Sequence, residues 1–160
     1  MRHDHGRAVA QLSLGGPHID ASDVAFGPAN FGIQGAELAE RVRTALDVVS
    51  LSGRAGHSPA HLSAGERRRA ALATVLACRP EILVLDEPSA NLDPVARREL
   101  AATLGSLETT LLIVTHDLPY AARLCERAVV MDQGRIVADG DLGSVPADAE
   151  LPRGHRLDAP

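Results

Sequence analysis

Apolar positions along this chain change period several times, and each change marks an element. From Gly35 to about Ser50, the residues Leu38, Val42, Ala45, Leu46 and Val49 recur at spacings of three and four. That spacing gathers them on one helical face. A loop is predicted over residues 53–59. A second helix runs from about Glu66 to Arg79 with Leu72, Val75 and Leu76 on one side, and Pro80 ends it by disfavouring helical backbone at Arg79. Residues 82–85 are an unbroken apolar run, the pattern of a parallel strand buried on both faces. Asp93-Pro94 opens a further helix with a capping residue and a proline at its first turn, and Val95, Leu100 and Leu104 follow. Residues 111–115 read as a second buried strand, residues 119–125 as a short helix, and residues 128–131 as a third strand. Asp132-Gln133-Gly134 then turns the chain into residues 135–138, a predicted hairpin.

Elsewhere the pattern is weaker. Residues 1–22 have no period, and His3 and His5 there fit a frayed terminus better than a metal pair. Residues 23–32 read as a short apolar stretch closed by turn residues, and the Pro- and Gly-punctuated segment 143–160 as a mobile tail. The expected organisation is an irregular segment 1–22, a helical part 23–80, an α/β part 81–142 and the tail. Strands alternating with helices predict an α/β domain with a mainly parallel sheet. Such sheets place their chemistry at the carboxyl ends of the strands.

Composition refines this picture in three places. At 160 residues the chain is one domain by length, and with no Trp, one Tyr and two Phe its core must be built from Ala, Leu and Val. The formal net charge of −5, without a basic stripe, argues against nucleic acid as a partner. No apolar run approaches the roughly 18–20 residues of a membrane span. The first residues lack the apolar stretch of a signal peptide. Cys78 and Cys125 show no metal or redox spacing and fit a reducing cytosol.

Four short stretches carry candidate chemistry. Ser63 and Gly65 immediately precede a helix, whose N-terminus presents free N–H groups and attracts phosphate. Ser63 with Glu66 also reads as an ordinary capping box. Arg67, Arg68 and Arg69 oppose the helix dipole in the first turn, which an anion docking there would explain. Asp86 and Glu87 end a buried strand; in a nucleotide site the first would hold Mg²⁺ through water and the second would orient or deprotonate the attacking water. Asp93 is explained by its cap alone, and an additional interface role stays open. His116 follows a strand, where an imidazole can hydrogen-bond a γ-phosphate.

In this order, these stretches resemble the ATP-binding-cassette (ABC) ATPases. Leu62-Ser63-Ala64-Gly65-Glu66 resembles the family's signature motif, with Ala64 where glycine is usual and Glu66 where glutamine is frequent. Residues 82–87 look like the Walker B strand with its catalytic glutamate, Ser89-Ala90-Asn91-Leu92-Asp93 like the D-loop, and His116 like the switch histidine. The resemblance covers about residues 23–142. It implies a P-loop NTPase-like fold with helices on both faces of a parallel sheet and a helical signature subdomain.

Residue roles follow from the same resemblance. It implies Glu87 and His116 as catalytic, Asp86 as the Mg²⁺ carboxylate acting through water, and Ser63, Gly65, Glu66 and Asp93 as contacts to an ATP held by a second ATPase subunit. Residues 23–32 resemble the stretch after the Q-loop in the ATPases of cobalt/nickel and energy-coupling-factor importers. That implies contact between residues 23–50 (Asp23 to Ser50) and a transmembrane subunit, at the cytoplasmic face of the membrane. Gln11-Leu12 loosely resembles residues following the Q-loop.

One family element has no counterpart. The phosphate loop G-x-x-x-x-G-K-[ST] requires lysine, and all 16 basic residues here are Arg. An N-terminally truncated ATPase is therefore expected. Without about four charge-assisted phosphate contacts of ~1.5 kcal/mol each, ATP binding by the chain alone should weaken by roughly four decades. A non-hydrolytic module completing a partner's ATP site, or the product of a truncated or mis-started gene, are the alternatives. In the family sheet the phosphate-loop strand lies between those matching residues 111–115 and 129–131, so a gap or an abnormal pairing is expected between them, with open edges that invite aggregation.

Overall fold

The computed structural model describes residues 9–12, 21–54 and 62–144. The readings for His3 and His5, for most of the 53–59 loop and for the tail from residue 145 lie outside these residues. Three parallel strands form one sheet in the order β1 (Val9–Leu12), β2 (Ile82–Asp86), β3 (Thr110–Val114). β1 departs from the irregular segment expected there. Four residues are too few for a period to show, and β1 draws its hydrogen bonds from a partner more than 70 positions away, Val9 facing Ile82 and Leu12 facing Leu85.

β2 is the central strand, with Leu83 and Leu85 buried. β3 does not match the expectation of burial on both faces: Leu112 and Val114 are 55% and 53% exposed. β3 is an end strand, and among the described residues no further strand pairs beyond it. β4 (Arg127–Asp132) and β5 (Arg135–Asp141) form a separate antiparallel sheet. The hairpin is as expected, with Gln133 and Gly134 at φ of 48° and 77° in its turn, as a two-residue turn matched to strand twist requires. The strand at residues 128–131 thus pairs with β5 and not with the parallel sheet.

Among the described residues there are five α-helices, α1 (Ala21–Asn30), α2 (Gly35–Val48), α3 (Ala64–Leu76), α4 (Pro94–Gly105) and the single turn α5 (Leu118–Ala121), besides a 3-10 turn at Ser52–Arg54. The helix at residues 21–30 replaces the apolar stretch and turn expected at 23–32. Gly27 and Pro28 disfavour a helix intrinsically, but Val24 and Pro28 are buried. At Gly27 a Cβ would lie 2.7 Å from the Cys78 sulfur, so α1 presses directly on the chain beyond α3. Tertiary packing outweighs local preference here.

One apolar core joins α1, α2, α3, α4 and β2 through Val24, Leu46, Val49, Leu72, Leu83, Leu85, Leu100 and Leu104. As composition requires, it is aliphatic. Val95 is exposed rather than packed with Leu100 and Leu104. Five positions at 3.6 residues per turn carry it about 140° from Leu100 around α4. The mixed α/β fold with its parallel strands is the class expected.

Candidate functional site

The expected site residues fall into two groups. The first lies where α3 and α4 begin. Ser63 caps α3: its Oγ accepts from the Glu66 N–H at 3.2 Å, while the Glu66 carboxylate accepts from the Ser63 N–H at 2.8 Å. This is a complete capping box. Asp93 caps α4 by accepting from the N–H groups of Val95 and Ala96 at 2.8 and 3.0 Å. The Ala96 and Val95 amides hold the Asp93 carboxyl below its usual range. A shallow cleft of about 320 Å³ is lined by Ser63, Gly65, Glu66 and Asp93 together with Arg69 and Glu99. All four residues expected to face a partner's ATP therefore share one surface.

Gly65 has a structural role that its spacing does not reveal. A Cβ there would lie 2.9 Å from the Ala96 Cβ, so the glycine lets α3 and α4 approach. The three arginines also have protein partners. Arg67 donates to the Leu62 carbonyl at 2.5 Å, Arg69 pairs with Glu99, and Arg68 donates to the carbonyls of Glu87, Pro88 and Ala90. Their clustering needs no docked anion to explain it.

The second group sits at the carboxyl ends of β2 and β3. Asp86 pairs in register with Val114, and the ladder continues as the Glu87 N–H donates to the Val114 carbonyl at 2.8 Å. Glu87 itself turns out of the strand at φ of 44°. Its carboxylate accepts from the Thr115 hydroxyl at 3.0 Å and the His116 backbone N–H at 3.1 Å, and its Oε1 lies 2.7 Å from His116 Nδ1. Burial pushes the Glu87 pKa up, but the hydrogen bonds from His116 and Thr115 together outweigh it and leave the group below the ordinary value. Glu87 is thus ionised at neutral pH, able to accept a proton but a weak base.

Asp86 stands exposed at the strand end beside it. Among the described residues no three His, Cys, Asp or Glu side chains converge as a metal site. One carboxylate suits Mg²⁺ only as a hydrated ion whose remaining ligands are water and phosphate oxygens. The residues present fit that kind of site and not an all-protein one.

Sequence reasoning missed the residues that hold these groups in place. Asp117 caps α5 through the Tyr120 N–H at 3.1 Å, accepts from Ser89 Oγ at 3.2 Å and pairs with Arg97. Thr115 bonds Glu87 and also accepts from the Asp117 N–H at 3.1 Å. The run Thr115-His116-Asp117 carried the signal, but only its histidine was singled out.

Comparisons with known proteins bear on family and fold. Residues 21–122 match a family model described as "AAA domain, putative AbiEii toxin, Type IV TA system". A Streptomyces avermitilis protein named "Putative ABC transporter ATP-binding protein" is 59% identical over 138 residues, 86% of this chain and 53% of that protein. The "Energy-coupling factor transporter ATP-binding protein EcfA" of Methanothermobacter thermautotrophicus is 40% identical over 86% of this chain and 45% of its own length. Among solved structures, cbiO1 of Clostridium perfringens, described as part of the ABC transporter complex cbiONQ, matches with a TM-score of 0.78 and 30% identity. That match covers 92% of this chain and 62% of the other. The chain spans about half the length of the curated relatives it matches. The chain belongs to the AAA-domain family of that model, and over 86% of its length it is similar to ABC transporter ATP-binding proteins.

Proposed function

We propose that this chain is the ATP-hydrolysing subunit of an importer for a metal ion or a vitamin, working at the cytoplasmic face of a membrane. The observation that carries the reading is the Glu87–Thr115–His116 cluster at the strand ends. There an ionised carboxylate is held beside an imidazole where a parallel sheet places its chemistry. Glu87 orients the attacking water and accepts its proton, and His116 contacts the γ-phosphate. Asp86 would hold a hydrated Mg²⁺, which would supply charge neutralisation on the phosphates. The cleft of Ser63, Gly65, Glu66 and Asp93 receives the nucleotide of a second ATPase subunit arranged head to tail.

Support for the solute class comes from the relatives' own descriptions: one is an energy-coupling-factor ATPase and another is part of cbiONQ. No helix among the described residues is long and apolar enough to cross a membrane, and the reading assigns passage of the solute to a separate membrane subunit. Residues 23–50 supply a surface for it. Phe26 and Phe31 are 69% and 71% exposed. A groove of about 450 Å³ between α1 and α2 is lined by Ala25, Leu38, Val42 and Leu46. Changing both phenylalanines to Ala is expected to release the membrane subunit during co-purification. Full retention by a folded variant removes this surface.

The head-to-tail reading is tested by mixing subunits. Ser63→Arg places bulk and charge in the cleft used in trans, and Glu87→Gln removes the base in cis, lowering turnover about 10²-fold or more. A mixture of the two variants forms one site with both lesions and one with neither, so activity should recover well above either parent. A mixture as inactive as its parents would end the trans assignment. One observation favours a second reading, a non-hydrolytic module completing a partner's site: Ser63, Gly65, Glu66 and Asp93 line a single cleft at the starts of α3 and α4. Under it, Glu87→Gln leaves the turnover of the assembly unchanged.

A further inference from the structure

Arg68 lies in the first turns of α3, yet its hydrogen bonds go to another part of the chain. One guanidinium nitrogen, Nη1, lies 2.6 Å from the Ala90 carbonyl oxygen, 2.8 Å from that of Pro88 and 3.5 Å from that of Glu87. Arg68 makes no ion pair among the described residues, and burial lowers its pKa from the ordinary arginine value. A partly buried charge without a carboxylate is costly unless hydrogen bonds replace its water. Here the backbone of residues 87–90 is that replacement.

The segment it holds is unusual. Glu87 and Asn91 both adopt positive φ, 44° and 58°, which non-glycine residues do at a cost of order 1–3 kcal/mol when the surroundings enforce it. Two elements enforce it. Asp117 holds Ser89 from the side of α5, and Arg68 holds the carbonyls from the side of α3.

We propose that Arg68 is a positioning residue for Glu87: it fastens the strained turn after β2 to α3, so that the cleft at the start of α3 and the carboxylate at the end of β2 move as one body. The inference rests on Glu87 being the base of the proposed reaction. It gives the two halves of the site a mechanical link inside one subunit, because a ligand that shifts the start of α3 shifts the turn carrying Glu87.

The test compares Arg68→Gln with Arg68→Lys in the assembled ATPase. Gln removes the charge, and Lys keeps a cation able to donate to several carbonyls. Arg68→Gln should lower kcat roughly 10- to 100-fold, the cost of displacing a reacting group by about an ångström, with KM unchanged and partial recovery in Arg68→Lys. In a Glu87→Gln background it should cause no further loss. A full additional loss there would mean that Arg68 acts elsewhere, and would overturn the proposal. Hydrogen exchange supplies a readout independent of turnover. The Ala90 and Leu92 amides, which donate to the Glu87 and Ser89 carbonyls, should exchange about 10-fold faster in Arg68→Gln, while Leu72 and Leu85 amides do not change. Unchanged exchange at Ala90 and Leu92 also refutes it. If the unaltered assembly shows no turnover, the proposed function fails, and the exchange result alone decides on Arg68.

Discussion

Asp93 shows how one side chain serves two purposes. Its carboxylate closes the first turn of α4 and lines the cleft with Ser63 and Glu66. Because the Ala96 and Val95 amides hold its folded-state pKa below the unfolded value, it stabilises the fold fully above about pH 4, the ordinary aspartate range. That contribution is lost as pH falls through the lowered value. Asp93→Asn keeps the acceptor and removes the titration. Denaturant midpoints measured down through this window should therefore fall less steeply with pH for the variant, and parallel curves would sink the idea. At this scale the sequence was most legible where chemistry is local. Ser63, Glu66 and Asp93 are caps, and their partners lie two or three positions away. The positions that Arg68, Thr115 and Asp117 hold in the site were not legible because they come from contacts 19 to 28 positions apart.

Helix starts set the geometry between elements. α3 and α4 touch where Gly65 faces Ala96, so the glycine is required by packing whatever ligand the cleft takes. Gly65→Ala should destabilise the fold by about 1–3 kcal/mol, the usual cost of overpacking. Adding Ala96→Gly removes the opposing methyl and should recover part of that loss, despite the penalty of glycine in a helix. Losses that simply add in thermal or denaturant unfolding would mean that the two helices do not meet there. The helices α2, α3 and α4 were legible from apolar period and capping residues together. α1 and β1 were not, because Gly27 and Pro28 mask the one and four residues are too few for the other. β3 was placed correctly, but its burial was overestimated. An apolar run tells how readily a strand forms, not how many neighbours it finds.

At the scale of the molecule, β3 and β4 do not pair among the described residues. β1–β3 form one sheet, β4–β5 another, and no ladder joins them among the described residues. The apolar residues Leu112 and Val114 on one side, and Val129, Met131, Ile136 and Val137 on the other, are left exposed. A two-stranded hairpin alone is marginal in water, whereas β2 is packed into the aliphatic core. The fold therefore lacks the shared ladder through which one sheet would feel the loss of the other, and its two parts need not melt together. Calorimetry of the chain should give a total enthalpy larger than the van't Hoff enthalpy of its main transition, the sign of more than one cooperative unit. Equal enthalpies would show the two sheets unfolding as one.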